Sequence, residues 1–237
     1  MKRALLGAAL LIAAAWDDHR GERCGWEQWG QSAAHDGAVC AVAQSPDRVL
    51  AQLTFDPFVA EEIAAFGGLP THYHSRGHLI KFDHRGTFRG TFNFGWDSTP
   101  AIYRHDGTYS IVLKDNHYRD GPFFITQLDK DLVPEWQFQN TETRRCARQP
   151  DGTIACTDDG QHADGFEWCI NAPALDRDGN VMALSEDGNL YIIGQGGVLR
   201  SKTFLTLSVG ASYTPAAIDP RGRVYAENGG DLRVLGF

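Results

Sequence analysis

The segments STPAIYRHDG at 98–107, NAPALDRDG at 171–179 and YTPAAIDPRG at 213–222 share one pattern: a proline–alanine step, a few further residues, and a turn ending in glycine. GLPTHYHSRG at 68–77 is a looser copy, and RRCARQPDG at 144–152 keeps only the turn. A unit that recurs every few tens of residues predicts one supersecondary element built several times. The runs between the turns are short and bounded by Gly, Asp and Asn, which favours strands joined by hairpins.

Two stretches, 98–140 and 171–208, each contain four predicted strands separated by turn signals. The last copy, 213–237, contains only three. A strand within 48–55 has no partners upstream, so we expect it to fill the missing position and close a ring, which would remove two exposed sheet edges. The sequence therefore predicts an all-β fold, a β-propeller of about five blades with six as the alternative. We expect five glycines to mark its hairpin turns: Gly77, Gly107, Gly152, Gly179 and Gly222.

The segments 173–197 and 214–237 resemble the repeats of pyrroloquinoline-quinone-type (PQQ-like) β-propellers. The shared pattern is Pro-Ala followed by a glycine turn, a β run with an aromatic residue, and Asp-Gly-x-Leu-Tyr. LVPEWQF at 132–138 matches the tryptophan-containing run that follows in such repeats. The family includes quinoprotein dehydrogenases and non-catalytic periplasmic scaffolds, so the resemblance implies a propeller but leaves open whether the protein is an enzyme.

The features of a quinoprotein enzyme are missing from this sequence. Those enzymes carry two adjacent cysteines beside the cofactor and about eight blades, whereas no two cysteines are adjacent here and the chain has 237 residues. We therefore expect no cofactor and no PQQ binding. The small residues after each proline, Ala101, Ala174 and Ala216, are predicted to line a narrow, water-filled axis.

The first residues predict export. Residues 1–15 combine a basic MKR start with twelve small or apolar residues ending in Ala-Ala-Ala, which is the pattern of a signal peptide. The apolar run is too short to span a bilayer, and the alternative is a helical extension of a cytosolic protein. Residues 16–47 are interpreted as an N-terminal arm and 48–237 as the propeller domain. A formal net charge of −8 argues against a nucleic-acid partner.

Export would permit disulfides, and one pair can be argued from geometry. Cys146 and Cys156 are equidistant from Asp151, the middle of a predicted turn, so they should face each other across a hairpin. Cys24 with Cys40 is a weaker pairing suggested by proximity, and Cys169 would then be left over. The alternative is that all five cysteines are reduced and partly buried.

Two kinds of chemistry remain open. His72 and His74 would share one face of a strand, and His78 or His84 could return beside them to hold Zn²⁺ or Cu²⁺. The alternative is a set of histidines at the surface. A propeller can also be a glycosidase, and the candidate carboxylates for that reaction are Asp97, Asp115 and Glu167.

The sequence thus favours an exported, non-enzymatic binding or scaffold protein of the PQQ-like repeat type. Its partner would be a protein or a glycan, and no segment beyond the signal region could cross a membrane. The alternative is a glycan-active or metal-assisted hydrolase that uses the central funnel of the ring.

Overall fold

The computed structural model describes residues 77–95, 98–117, 121–207, 214–228 and 231–236. These residues form fifteen β-strands in five separate antiparallel sheets, with no helix among them. Accordingly, no helix in these ranges is long and apolar enough to cross a lipid bilayer. The expected all-β class is confirmed. The signal region, the arm, and the expected closing strand within 48–55 lie outside the described residues.

Two of the sheets have four strands each. The first has the order β3-β4-β5-β6 and comprises Ala101–His105, Thr108–Asn116, Phe123–Leu128 and Pro134–Gln139. The second has the order β9-β10-β11-β12 and comprises Ala174–Leu175, Val181–Leu184, Asn189–Gly194 and Val198–Phe204. Both are continuous meanders in which each strand pairs with the next along the chain. They match the two stretches in which the sequence predicted four strands.

The other three sheets are smaller. Gly77–Phe82 (β1) pairs with Phe88–Phe94 (β2), and Arg144–Arg148 (β7) pairs with Ile154–Asp158 (β8). Three strands form the last sheet, namely Ala217–Ile218 (β13), Val224–Asn228 (β14) and Asp231–Leu235 (β15). The two-stranded hairpins fall where the spacing of the turn glycines becomes short.

One five-residue loop joins strands at six places. In each copy the first residue donates its N–H to the carbonyl of the fifth, and the fourth donates to the carbonyl of the first. This is a turn followed by a residue in the left-handed region, a common hairpin connection. The copies are 83–87, 129–133, 149–153, 176–180, 185–189 and 219–223.

An aspartate begins four of these six loops and caps them. The Asp176 Oδ1 atom, for example, accepts hydrogen bonds of 2.9 Å from the backbone N–H groups of both Asp178 and Asn180. Asp83, Asp129 and Asp219 make the same pair of bonds. Aspartate is favoured here because its side chain can satisfy two backbone donors that the tight loop leaves without carbonyl partners.

The Cys146–Cys156 disulfide is present, so that prediction is confirmed. The two residues are direct partners in the β7–β8 register, with their Cα atoms 4.0 Å apart. Most other side chains of this hairpin are exposed. An isolated two-stranded hairpin is marginally stable in water, so the covalent link supplies what core burial does not.

The main core lies between the two four-stranded sheets. Strand β4 is buried from Ser110 to Asn116 because it is packed on both faces. Val112 faces the larger cluster, which includes Trp168 and Ile193, while Leu113 faces a smaller one against the β1–β2 hairpin. Ala101, Ala174 and Ala216 are all buried in the larger cluster. The expectation that they face a water-filled axis is therefore wrong. Their small side chains instead allow neighbouring segments to pack closely in the core.

Glycine is required in these loops for two separable reasons. Gly222 (φ +80°) and Gly188 (φ +86°) occupy the same loop position, where the left-handed backbone disfavours other residues. A Cβ atom on Gly222 would meet no neighbour within 4 Å, whereas one on Gly188 would lie 2.3 Å from the Thr206 carbonyl oxygen.

We therefore expect Gly222→Ala to lower the free energy of unfolding by about 1 kcal/mol, the cost of backbone strain alone. Gly188→Ala should cost about 3 kcal/mol or more, because the strain is joined by a clash with backbone. Urea denaturation of both variants measures the difference. If both variants lose the same free energy of unfolding, the close approach of the Thr206 carbonyl to Gly188 does not restrict the residue at position 188.

Candidate functional site

A cavity of about 370 Å³ opens between the β1–β2 hairpin and the outer face of the first four-stranded sheet. Alternation along β3 and β4 turns Ile102 and Ile111 towards it, on the opposite face from Ala101 and Val112. Its complete lining comprises Leu79, Ile80, Lys81, Phe82, Ile102, Arg104, Tyr109, Ile111 and Leu132. The volume falls within the range of small-molecule sites, which are predominantly apolar with a few polar groups.

Two cationic side chains belong to this lining. Lys81 donates to the Lys130 carbonyl and forms an ion pair with Asp131, with 3.1 Å between Nζ and Oδ1. This contact ties β1 to the β5–β6 loop. Arg104 lies on β3 and is exposed. The charge of Lys81 is thus compensated by Asp131.

Leu132 is an exception to the loop pattern. It occupies the fourth position of the 129–133 loop, where the other five copies have glycine, and its φ is +67°. A branched side chain in the left-handed region costs about 1–2 kcal/mol. The Leu132 side chain is buried against Ile111 and Leu128 and forms part of the cavity wall. Burial of a leucine offsets a strain of that size.

A second group of ionisable residues lies at the other end of the sheets. Burial, together with a smaller contribution from the neighbouring Glu186 carboxylate, raises the pKa of Glu167 to about 7, and the charge of Lys114 opposes this rise. The Cys169 thiol is buried and donates to Glu186 Oε1 over 3.2 Å. Lys114 is fully buried on β4. A carboxyl group that titrates near neutral pH has the property of a general acid.

The loop beside Glu167 is held by a buried network. Ser185 Oγ donates to the Glu167 carbonyl oxygen, and Asn140 Nδ2 donates to Ser185 Oγ over 2.7 Å. Burial raises the pKa of Asp187, and the hydrogen bond that its carboxylate accepts from the Tyr191 hydroxyl partly opposes this rise. These bonds join the end of β6 to the β10–β11 loop and fix the Glu167 backbone.

Asp115, another carboxylate considered from the sequence, is buried at the end of β4. Its Oδ2 accepts a hydrogen bond from Thr126 Oγ1, and its Oδ1 lies 3.1 Å from His117 Nε2. His117 is half exposed and packs edge-on against Phe124. Asp115 therefore orients a surface imidazole. Asp97, the third candidate, lies outside the described residues.

A histidine and a serine also meet, but not as a nucleophile and its base. His105 Nε2 lies 2.9 Å from Ser110 Oγ, and the Ser110 hydroxyl donates to Glu135 Oε2 over 2.7 Å. Gln127 donates to the same carboxylate oxygen and pairs with Gln195 of the second sheet. Because the Ser110 hydroxyl already donates its proton to Glu135, His105 does not accept that proton. The network instead links the two sheets.

The predicted histidine site is only partly described. His72 and His74 lie outside the described residues. His78 is the second residue of β1, with its Nδ1 atom 2.8 Å from Asn93 Oδ1, and His84 lies in the 83–87 loop. Among the residues whose positions are given, no three His, Cys, Asp or Glu side chains are grouped to hold a metal ion.

The cavity residues were missed by sequence reasoning. The sequence did contain one signal for them, because the loop DKDLV at 129–133 has leucine where DRDGN at 176–180 has glycine. A bulky residue at a position that favours glycine indicates that its side chain is needed there. No local pattern in the sequence indicates that the β1–β2 hairpin lies close to Ile102 and Arg104.

No protein-family model and no curated protein matches this chain.

The raised pKa of Glu167 makes stability depend on pH. The folded protein holds this proton more tightly than the unfolded chain, so stability falls as the pH rises from about 4.5 to about 7. We expect Glu167→Gln to raise the free energy of unfolding at pH 8 by on the order of 1–2 kcal/mol, after a discount for solvent screening, with no gain at pH 4. Chemical denaturation at the two pH values measures this.

Glu227→Gln, a change at an exposed position on β14, is the matched control and should show no such pH dependence. A gain for Glu167→Gln of equal size at pH 4 and pH 8 would contradict the assignment of the burial cost to the ionised carboxylate.

Proposed function

We propose that this chain is an exported, non-enzymatic β-propeller of the PQQ-like repeat type that binds its ligand in the cavity beside the β1–β2 hairpin. The observation that carries the proposal is the composition of that cavity wall. Its polar side chains are Lys81, Arg104 and Tyr109, and the rest of its lining is apolar. Such a wall supplies burial and charge for recognition, but no carboxylate, imidazole, serine or thiol for bond cleavage.

The propeller is supported by the recurring sheet unit. Two four-stranded meanders share a core, and β3 of one packs near β9 of the other, as the inner strands of neighbouring blades do. The three-stranded sheet β13–β15 would be completed by the strand within 48–55. The disulfide in the exposed β7–β8 hairpin supports export, because such bonds persist in oxidising compartments.

Ring closure can be tested by truncation. Deletion of residues 231–237 removes β15, which we propose lies between β14 and the closing N-terminal strand. We expect the melting temperature of the whole domain to fall sharply. Removal of β15 takes away its pairing with β14 and its pairing with the closing strand at the same time, so the ring opens. Thermal denaturation followed by circular dichroism provides the measurement. A truncated protein that retained full thermal stability would rule out closure at this strand.

Binding without turnover is the direct functional test. The mature protein is titrated by calorimetry with a library of small apolar and amphipathic compounds, and separately with PQQ and Ca²⁺. We expect saturable binding to members of the library, none to PQQ, and no dye-linked oxidation of alcohols or sugars. Saturable micromolar PQQ binding would overturn the non-enzymatic assignment.

The alternative is a hydrolase that acts on glycans, and Glu167 is the observation that favours it. A carboxyl group with a pKa of about 7 beside a second carboxylate resembles an acid/base pair. Chromogenic glycosides test this alternative. Turnover by the wild-type protein that is abolished in Glu167→Gln and retained in Glu227→Gln would replace the binding proposal with the hydrolase.

A further inference from the structure

The charged side chains in the cavity wall are already engaged in contacts of their own. Lys81 donates to the Lys130 carbonyl and forms an ion pair with Asp131, with 3.1 Å between Nζ and Oδ1. Arg104 lies at an exposed position of β3 and takes part in another interaction. Among the described residues that line the cavity, none is acidic. These charges hold the protein together at the wall, and recognition of a ligand there depends on the apolar side chains.

The apolar side chains of the wall are incompletely covered by the protein. Leu79 on β1 and Ile102 on β3 pack against the smaller hydrophobic cluster, yet both are only partly buried. At the rim, the exposed ring of Phe88 packs edge-on against Phe82 of the lining, with ring centroids 6.3 Å apart. Val133, beside the lining, is exposed as well. Apolar groups that gather in and around one cavity are typical of a binding site.

One part of this apolar wall is maintained against a local cost. Of the six described loops of the same geometry, five have glycine at the fourth position, and the 129–133 loop has Leu132 there with a φ of +67°. A glycine at this position would relieve the strain and remove apolar surface from the wall. Strain that is retained at a cavity wall indicates that the shape of the wall matters.

We infer that the cavity binds a small, uncharged, predominantly apolar molecule, whose ring or chain covers Leu79, Ile102 and Ile111. Such a ligand gains from the removal of apolar surface from water. An ion of either sign would lose its hydration without the compensation of an uncommitted opposite charge. The volume of about 370 Å³ suits a small molecule. This inference rests on the proposed binding function and specifies the chemical class of its ligand.

Three cyclohexane probes that differ in their head group test the class of ligand. Cyclohexylmethanol, cyclohexanecarboxylate and cyclohexylmethylammonium each carry the head group close to the ring, so the head group must enter the cavity with the ring. We expect the alcohol to bind about tenfold more tightly than either ion, because neither ion recovers its lost hydration. Cyclopentylmethanol, which lacks one ring methylene, should bind about fourfold more weakly than cyclohexylmethanol.

Methyl NMR spectra of the mature protein give the affinity and the location of binding together. As cyclohexylmethanol is added, the methyl signals of Ile102, Ile111 and Leu132 should shift and reach saturation. Val181 and Ile193 are fully buried in the larger hydrophobic cluster, and their methyl signals should not move. Shifts of equal size in both groups of methyls would contradict binding in this cavity.

Two variants test the site itself. Ile102→Trp fills the cavity and should abolish binding of cyclohexylmethanol. Its control, Val198→Trp, adds the same side chain at an exposed position of β12 and should leave the affinity unchanged. Leu132→Gly removes apolar wall and should weaken binding about tenfold. Thermal denaturation verifies that each variant is folded. If Ile102→Trp does not fold, Leu132→Gly decides, and an unchanged affinity in that variant would overturn the inference.

The failures of this inference and of the proposed function are distinguishable. Tighter binding of the carboxylate or of the ammonium probe than of the alcohol, lost in Leu132→Gly, would overturn the uncharged class while leaving a binding cavity. No saturable binding of any probe to the folded protein would overturn the inference itself. Glycoside turnover that depends on Glu167 would instead overturn the proposed function.

Discussion

The fold depends on how Trp168 is held between the two four-stranded sheets. Its side chain is fully buried, and its indole N–H donates to the Phe123 carbonyl over 3.0 Å. The Asn116 side chain accepts from the Trp168 backbone N–H and donates to its carbonyl, so both backbone groups are satisfied. The ring also packs against Tyr191, with centroids 5.0 Å apart. One residue on a connecting segment thus joins β4 and β5 of one sheet to β11 of the other.

This junction explains why β4 can be buried on both faces. One face packs on Trp168 and the second sheet, and the other packs beneath the β1–β2 hairpin. The candidate cavity lies on that second side, next to the smaller hydrophobic cluster. The cavity therefore has one rigid wall, formed by β3 and β4, and a second wall formed by a two-stranded hairpin tied across by Lys81 and Asp131. A rigid scaffold with a less constrained partner is a common basis for ligand binding.

Local patterns in the sequence predicted the local features of this structure. Of the five glycines expected to mark hairpin turns, Gly107, Gly152, Gly179 and Gly222 have positive φ. That expectation is wrong for Gly77, which begins β1 and pairs with Phe94. The Cys146–Cys156 bond followed from a turn centred on Asp151. In each case, the relevant residues are separated by a few positions, so turn geometry alone determines which side chains meet.

Contacts between distant segments could not be predicted in the same way. Trp168 lies outside the repeated pattern, and nothing near it indicates that Asn116 will bind its backbone. Glu186 raises the pKa of Glu167 only because the β10–β11 loop folds back onto that segment. Ala101 and its counterparts were expected at a water-filled axis, yet they are buried, because the packing of neighbouring sheets decides what a small residue contacts.

Native-state hydrogen exchange in Asn116→Ala tests most directly whether Trp168 unites the two sheets. The substitution leaves the buried N–H and carbonyl groups of Trp168 without their side-chain partner, which should cost about 2–4 kcal/mol. If the junction makes one cooperative unit, the amides of β5 and β11 will lose protection by the same amount. Loss of protection in β5 alone, with β11 unchanged, would contradict the account.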